Sequence, residues 1–151
     1  MATRADIEQE LVSRAEAWLT AASMAVTFAG SNADLNAALG WAIRQAGGTV
    51  ASPSLVTSTD VQTVDSADLD FLYDLAELRM LQSILANYAK VDKKAGPVEL
   101  KSSQLFDQIR ARIGDLRGWL SATYSYGGYG AFSVALTRTD GYSELADADD
   151  L

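Results

Sequence analysis

Two long amphipathic segments near the middle of the chain limit its fold more than any other feature. Residues 66–90 and 98–123 carry apolar side chains at the three- and four-residue spacing of an α-helix. The first segment has two apolar stripes, Leu69/Leu72/Tyr73/Ala76/Met80/Ile84 and Phe71/Leu75/Leu78/Leu85. A helix that is apolar on most sides must be covered on most sides. It is predicted either as the central helix of a bundle or as a helix with one stripe facing a neighbouring copy.

Two shorter helices are predicted before this pair. Thr3-x-x-Asp6 has the form of a capping box, and the apolar residues after it predict a helix over about 5–23. Ser31-x-x-Asp34 repeats the start signal, and a pair of glycines near residue 47 ends the second helix. The predicted fold class is therefore all-α, a bundle of about four helices formed by residues 1–123.

The connection over residues 49–65 is long and has no helical period. It is rich in Ser, Thr and Val and contains one of the two prolines. Connections of this length in compact domains are usually functional or disordered. Two interpretations stay open: a surface loop, or an extended arm that contacts a partner through Leu55, Val56 and Val61.

Helical spacing stops at residue 124. The segment 124–151 begins with a run of Tyr and Gly and continues through further apolar and aromatic residues. A loose tail of this composition would be poorly soluble, so we expect it to dock on another surface. Fully extended, it would reach on the order of 90 Å. The sequence predicts a second region, 124–151, that acts as an extended docking tail.

Composition excludes several classes of function. The chain of 151 residues has no cysteine and no histidine, which removes thiolate nucleophiles, Cys/His zinc sites and the commonest general base. A formal net charge of −8 argues against a protein that grips nucleic acid. No stretch approaches the roughly 20 apolar residues of a membrane span. The N-terminus leads into an acidic helix and not into an apolar signal core, so we expect no secretion. We expect no enzyme activity, no cofactor and no membrane association.

Charged residues cluster in blocks. Residues 60–77 carry six acids and no base, whereas Lys90 to Arg117 is predominantly basic. Opposite blocks either pair between neighbouring copies or form solvated faces. Asp70, Asp74 and Glu77 share one face of the predicted helix, and we expect a solvated acidic seam there rather than a metal site, because matching ligands on a facing helix are missing.

The order of these parts resembles the head-to-tail connector, or adaptor, proteins of tailed bacteriophages and related gene transfer agents. The resemblance covers about residues 5–123 and rests on the helix layout and on the segment Leu69-Asp70-Phe71-Leu72-Tyr73-Asp74-Leu75-Ala76-Glu77-Leu78-Arg79. It implies a structural virion subunit, made in the host cytoplasm, that forms a ring, typically of twelve copies. It also implies that the ring lies between the portal and a neck or tail-completion protein, with a channel that passes DNA without specific binding.

Specific contacts follow from this resemblance. The subunit interface is expected on the two long helices, at Phe71, Leu75, Leu78, Arg110 and Arg117. The tail is expected to dock on the portal, at Phe132, Val134, Leu136, Arg138 and Tyr142. The alternative is a stand-alone helical regulatory or interaction module that binds a protein partner and folds its tail back on its own bundle.

Overall fold

The computed structural model describes the backbone of residues 1–92 and 99–127, and the side chains of 1–87 and 104–127. The described residues are mostly helical and contain no strand, which confirms the predicted all-α class. Within these ranges five α-helices follow one another: α1 Arg4–Ala21, α2 Asn36–Gln45, α3 Ser58–Val61, α4 Leu69–Asp92 and α5 Glu99–Tyr124. Short 3-10 turns at Ala33–Leu35 and Ser66–Asp68 precede α2 and α4.

Helix α1 begins with the capping box that the sequence predicted. The Thr3 side chain accepts a hydrogen bond from the Asp6 amide, and the Asp6 carboxylate accepts one from the Thr3 amide at 2.8 Å. The Thr3 hydroxyl also donates to the Asp6 carboxylate at 2.7 Å, and this bond, together with the one from the Thr3 amide, lowers the pKa of Asp6 below its ordinary value. The face that carries Ile7, Leu11 and Leu19 is fully buried. The first helix therefore forms where its caps and apolar spacing place it.

Helix α2 starts later than the sequence suggested. The capping residue is Asn32, not Ser31, and its side chain accepts a hydrogen bond from the Asp34 amide at the start of the 3-10 turn. The α-helix proper begins four residues after this cap and buries Leu39, Ala42 and Ile43. It ends before Gly47, whose φ of +83° suits glycine.

Helix α4 is the central helix of the unit formed by residues 1–116. It contacts α1 and α2. Leu72, Met80 and Ile84 of the first apolar stripe are fully buried, and so is Leu75 of the second, while Leu78 is 4% exposed. Both stripes therefore contribute to the core of the subunit, which agrees with the central-helix interpretation of this segment.

The connection over 49–65 is not an extended arm, and it is not a hairpin. It contains the short helix α3, whose own capping box joins Thr57 and Asp60. Val56, Val61 and Val64 are buried. Thr-x-x-Asp at this point is the same start signal as at the N-terminus. Apolar burial and the cap together fix the segment on the bundle.

The chain divides into two compact units, residues 1–116 and 117–151, with the boundary inside α5. The predicted boundary between bundle and tail lies further along the same helix, at 123/124. In the first unit, α5 buries Ile109, Ile113 and Leu116. In the second unit, Leu120 is buried, and the Leu120 carbonyl accepts a hydrogen bond from the Tyr126 amide just beyond the helix.

Candidate interaction site

A buried arginine at the start of α1 connects three segments of the chain. The Arg4 side chain is 1% exposed, and its Nε donates to Glu8 Oε1 at 2.7 Å. Its terminal nitrogens donate to Asn36 Oδ1 at 2.6 Å, to the Asn32 carbonyl at 2.7 Å and to the Val56 carbonyl. The guanidinium therefore holds α1, the segment before α2 and the segment before α3 together.

The carboxylate of Glu8 extends this network to the backbone of Gly30 and Asn32 before α2. Glu8 is fully buried, and its two oxygens accept hydrogen bonds from the Gly30 amide at 2.6 Å and the Asn32 amide at 3.0 Å. The Asn32 side chain in turn donates to the carbonyls of Ala25 and Thr27 at 2.8 and 2.9 Å. In the described part of the chain, every buried side-chain nitrogen and oxygen has a hydrogen-bond partner.

The loop held by this network exposes apolar side chains. We call residues 25–30 the presenting loop. The Gly30 amide and the carbonyls of Ala25 and Thr27 are bonded inward, and the Ala25 amide donates to Asp34 Oδ2 at 2.7 Å. Val26 is 36% exposed and Phe28 is 51% exposed. This loop was not predicted from the sequence, because the spacing of Arg4 and Glu8 indicates an ion pair but does not reveal that the pair is buried.

The predicted acidic seam on α4 is not uniformly solvated. Asp70 is exposed and Asp74 is half-buried, but Glu77 is 2% exposed. Glu77 accepts hydrogen bonds from Arg14 at 2.7 Å and from Arg112 at 2.8 Å, so it joins α1, α4 and α5 in the first unit. The prediction of solvation was therefore wrong for Glu77, because the position of Arg14 and Arg112 opposite it depends on contacts between residues distant in sequence.

The ion pairs of Glu77 with Arg14 and Arg112 favour the charged form of Arg14. Burial lowers the pKa of Arg14, but hydrogen bonds to Glu77 and Glu10 outweigh that effect, so the pKa rises overall. Desolvation, helped by the nearby Asp6 and Glu10, raises the pKa of Tyr73. Among the described residues, no group of three or more acidic, histidine or cysteine side chains is arranged to hold a metal ion. The ion pairs of Glu77 connect α1, α4 and α5.

The residues predicted to form the subunit interface lie in different environments. Arg110 and Arg117 are exposed, and Phe71 is half-buried. Leu75 and Leu78 belong to the core, so in this conformation they offer no free surface to a second copy. The three residues predicted for the partner-contacting connection also differ, because Leu55 is 54% exposed while Val56 and Val61 are buried. Several apolar residues that were predicted to contact partners therefore belong to the core of the subunit instead, namely Leu75, Leu78, Val56 and Val61.

A cavity opens beside the connection and the start of α4. Its volume is about 270 Å³, and it is lined by Met1, Ala2, Val61, Gln62, Val64, Asp65, Ser66 and Leu69. Val61 and Val64 are among the buried residues of the core. The lining is mixed, with apolar residues beside the polar Gln62, Asp65 and Ser66.

The five residues predicted to dock the tail, Phe132, Val134, Leu136, Arg138 and Tyr142, lie outside the described residues. Within the described ranges 1–92 and 99–127, no helix is long and apolar enough to cross a membrane. No family model matches the chain, and comparisons with curated proteins and with solved structures likewise found no match.

Proposed function

We propose that the chain is a structural subunit of a tailed bacteriophage or gene transfer agent, where it forms an adaptor ring between the portal and the neck. The observation that carries this proposal is the order and length of the helices. A long α1 and a short α2 are followed by a connection and then by the two longest helices, α4 and α5. That order is the basis of the resemblance to head-to-tail connector proteins.

Charge supports a passive role toward DNA. With a net charge of −8, the chain lacks the excess of Lys and Arg that supplies most of the affinity for a phosphate backbone. A ring of such subunits would surround DNA without retaining it. The exposed bases Arg110 and Arg117 on α5 are then available to acidic groups of a neighbouring copy.

The C-terminal segment is proposed to bind the portal. Its residues Phe132, Leu136 and Tyr142 supply the large apolar groups that usually dominate a protein interface. The reach of the segment, on the order of 90 Å when extended, is sufficient to leave the subunit that carries it.

Native mass spectrometry with the portal protein of the same genome tests the proposal. We expect many copies of the chain, about twelve by the resemblance, on each portal assembly. The full-length variant Phe132→Ala with Leu136→Ala should lose this binding, whereas the control Thr139→Ala should keep it. Absence of any complex with the portal would contradict the proposal. Equal binding by the double variant would contradict the role of the tail alone.

One observation favours a second candidate, a stand-alone helical interaction module. Leu75 and Leu78 are buried within the chain, which leaves α4 with less apolar surface for contact between copies than the sequence suggested. Such a module stays monomeric or dimeric both with and without the portal. The same mass spectra therefore separate the two candidates.

A further inference from the structure

Helix α4 carries an exposed arginine that is held in place on the side facing α2. The guanidinium carbon of Arg79 lies 5.7 Å from the centre of the Trp41 ring, and a terminal nitrogen donates to Gln82 Oε1 at 3.1 Å. A guanidinium stacked on an aromatic ring can still bind a carboxylate through two parallel hydrogen bonds. Because its position is fixed before binding, it loses less side-chain entropy when a partner arrives.

The surroundings of Arg79 are basic. Arg44 lies one turn beyond Trp41 on α2 and is also exposed. Helix α2 contains no acidic residue, and α4 contains none between Leu78 and Val91. Among the described residues, no carboxylate forms an ion pair with Arg44 or Arg79. We call Trp41, Arg44 and Arg79 the basic surface.

The opposite side of α4 is acidic. Asp70 precedes Arg79 by nine residues, which is about two and a half turns of an α-helix and therefore half a rotation about its axis. Desolvation raises the pKa of Tyr73, and so do the charges of Asp6 and Glu10 on α1 and of Asp70. The three carboxylates therefore lie around Tyr73, where α1 packs against α4.

The negative charge on this side is only partly neutralised within the subunit. Arg14 lies there as well, but it is shared between ion pairs with Glu10 and Glu77. In the part of the chain that the structure describes, Asp6 and Asp70 form no ion pair. The acidic surface consists of three exposed acids and a half-buried tyrosine: Asp6, Glu10, Asp70 and Tyr73.

We propose that the basic surface of one copy binds the acidic surface of a second copy. The two surfaces are opposite in charge, and each contains the Trp, Tyr or Arg side chains that usually dominate the energy of an interface. They lie on opposite sides of α4, so one copy can bind a neighbour through each surface at the same time. Such a contact is heterologous, and it closes into a ring when its successive rotations complete a full turn. The inference rests on the proposed function, because it supplies the contact between neighbouring subunits.

Reversal of one charge on each surface tests the contact. Arg79→Glu and Asp70→Arg should each prevent assembly, because like charges would then face each other. In a chain that carries both changes, every contact again joins opposite charges, so assembly should return. Both positions are exposed, and circular dichroism should show an unchanged helix content for all three variants. Native mass spectrometry counts the copies in each assembly, with and without the portal.

The size of the effect and a matched control make the test specific. Each single reversal should raise the protein concentration needed to form the assembly by at least about 30-fold, and the double variant should recover most of that loss. The control combines Glu16→Arg with Arg79→Glu and has the same net charge as the double variant. Glu16 is exposed on α1 but is not among the acids around Tyr73, so this control should not recover assembly.

Other outcomes overturn the inference in distinguishable ways. If both single variants form rings as the unchanged chain does, the contact is wrong and the ring proposal stands. If only one of them prevents assembly, that surface binds another group, and the pairing of the two surfaces is refuted. If both prevent assembly and the double variant recovers no more than the control, the surfaces bind something other than each other.

The same spectra test the proposed function separately. If the unchanged chain remains monomeric with the portal present, the contact and the adaptor function are both wrong. If it assembles without binding the portal and the double variant recovers that assembly, the contact is supported and the adaptor function is refuted.

Discussion

Removal of the Glu8 carboxylate is the most informative perturbation of the subunit. In the variant Glu8→Ala, the guanidinium of Arg4 keeps its charge while it stays 1% exposed, and its ion-pair partner at 2.7 Å is lost. The amides of Gly30 and Asn32 lose their acceptor in the same step. The variant therefore leaves one buried charge and two backbone donors without their partner.

The expected loss of stability is large. Breaking a buried ion pair by removing one partner costs about 3–5 kcal/mol. Each unsatisfied donor costs about 1–3 kcal/mol, although groups in one network do not add fully. We expect Glu8→Ala to lower the free energy of unfolding by at least about 4 kcal/mol, out of a typical total of about 5–15 kcal/mol for a single domain.

Glu77→Ala is the matched control, since it deletes the same side chain from another buried position with two arginine partners. The side chains of Arg14 and Arg112 are 36% and 43% exposed, so both reach water once Glu77 is gone. The free energy of unfolding should then fall by about 2 kcal/mol, mainly because the charged hydrogen bonds of Glu77 are lost. The difference between the losses of unfolding free energy in the two variants therefore measures the cost of leaving the Arg4 charge buried away from water.

Urea unfolding followed by circular dichroism at 222 nm measures the free energy of unfolding of both variants. The dependence of that free energy on urea concentration should be the same in both, which excludes changes in the unfolded state. A Glu8→Ala loss no larger than that of Glu77→Ala would refute the argument that the Arg4 network is desolvated. The double variant Arg4→Met with Glu8→Leu removes both charges. It should be more stable than Glu8→Ala alone, by about 1–3 kcal/mol, because no buried charge remains.

Three further variants test other parts of the unit. Gly48→Ala should lower stability by about 1–3 kcal/mol in urea unfolding, because its Cβ would lie 2.7 Å from Val64 and 2.8 Å from Ile43. Hydrogen bonds from the Ala51 and Thr57 amides lower the pKa of Asp60 below its ordinary value of 3.8. The stability that this shift provides is complete above pH 3.8 and is lost as the pH falls through the pKa of the folded state. Asp60→Asn should therefore weaken the dependence of unfolding free energy on pH in the acid range. Gly114→Ala should raise the helix stability of α5 by about 1 kcal/mol, since no described atom lies within 4 Å of the added Cβ, and thermal unfolding would show it.

The fold class follows from the sequence because helical periodicity and caps are local signals. Thr3 and Asp6 are three residues apart, and a capping box needs nothing beyond that spacing. The apolar stripes of α4 likewise indicate a helix covered on most sides, whatever covers it. Predictions of this kind hold because the interacting atoms are neighbours in the chain.

The candidate interaction site could not be predicted in the same way, because its partners are distant in sequence. Arg4 bonds to Asn32, Asn36 and Val56, and Glu77 bonds to Arg14 and Arg112. Whether a charged residue is solvated or buried depends on those contacts, and no periodicity records them. The same reason explains why the connection over 49–65 was open to two interpretations until the burial of its valines settled its packing.

The residues expected at the subunit interface lie in different environments, and so do those of the partner-contacting connection. Leu75 and Leu78 stabilise the subunit from inside, so substitutions there act on folding before they act on assembly. Arg110 of the expected interface and Leu55 of the connection are exposed, so substitutions there leave the core intact. Leu72, Leu75, Met80 and Ile84 of α4 are buried within one copy, whereas Phe71 is half-buried. A contact between copies is therefore expected to depend more on exposed residues such as Arg110 than on the buried leucines of α4.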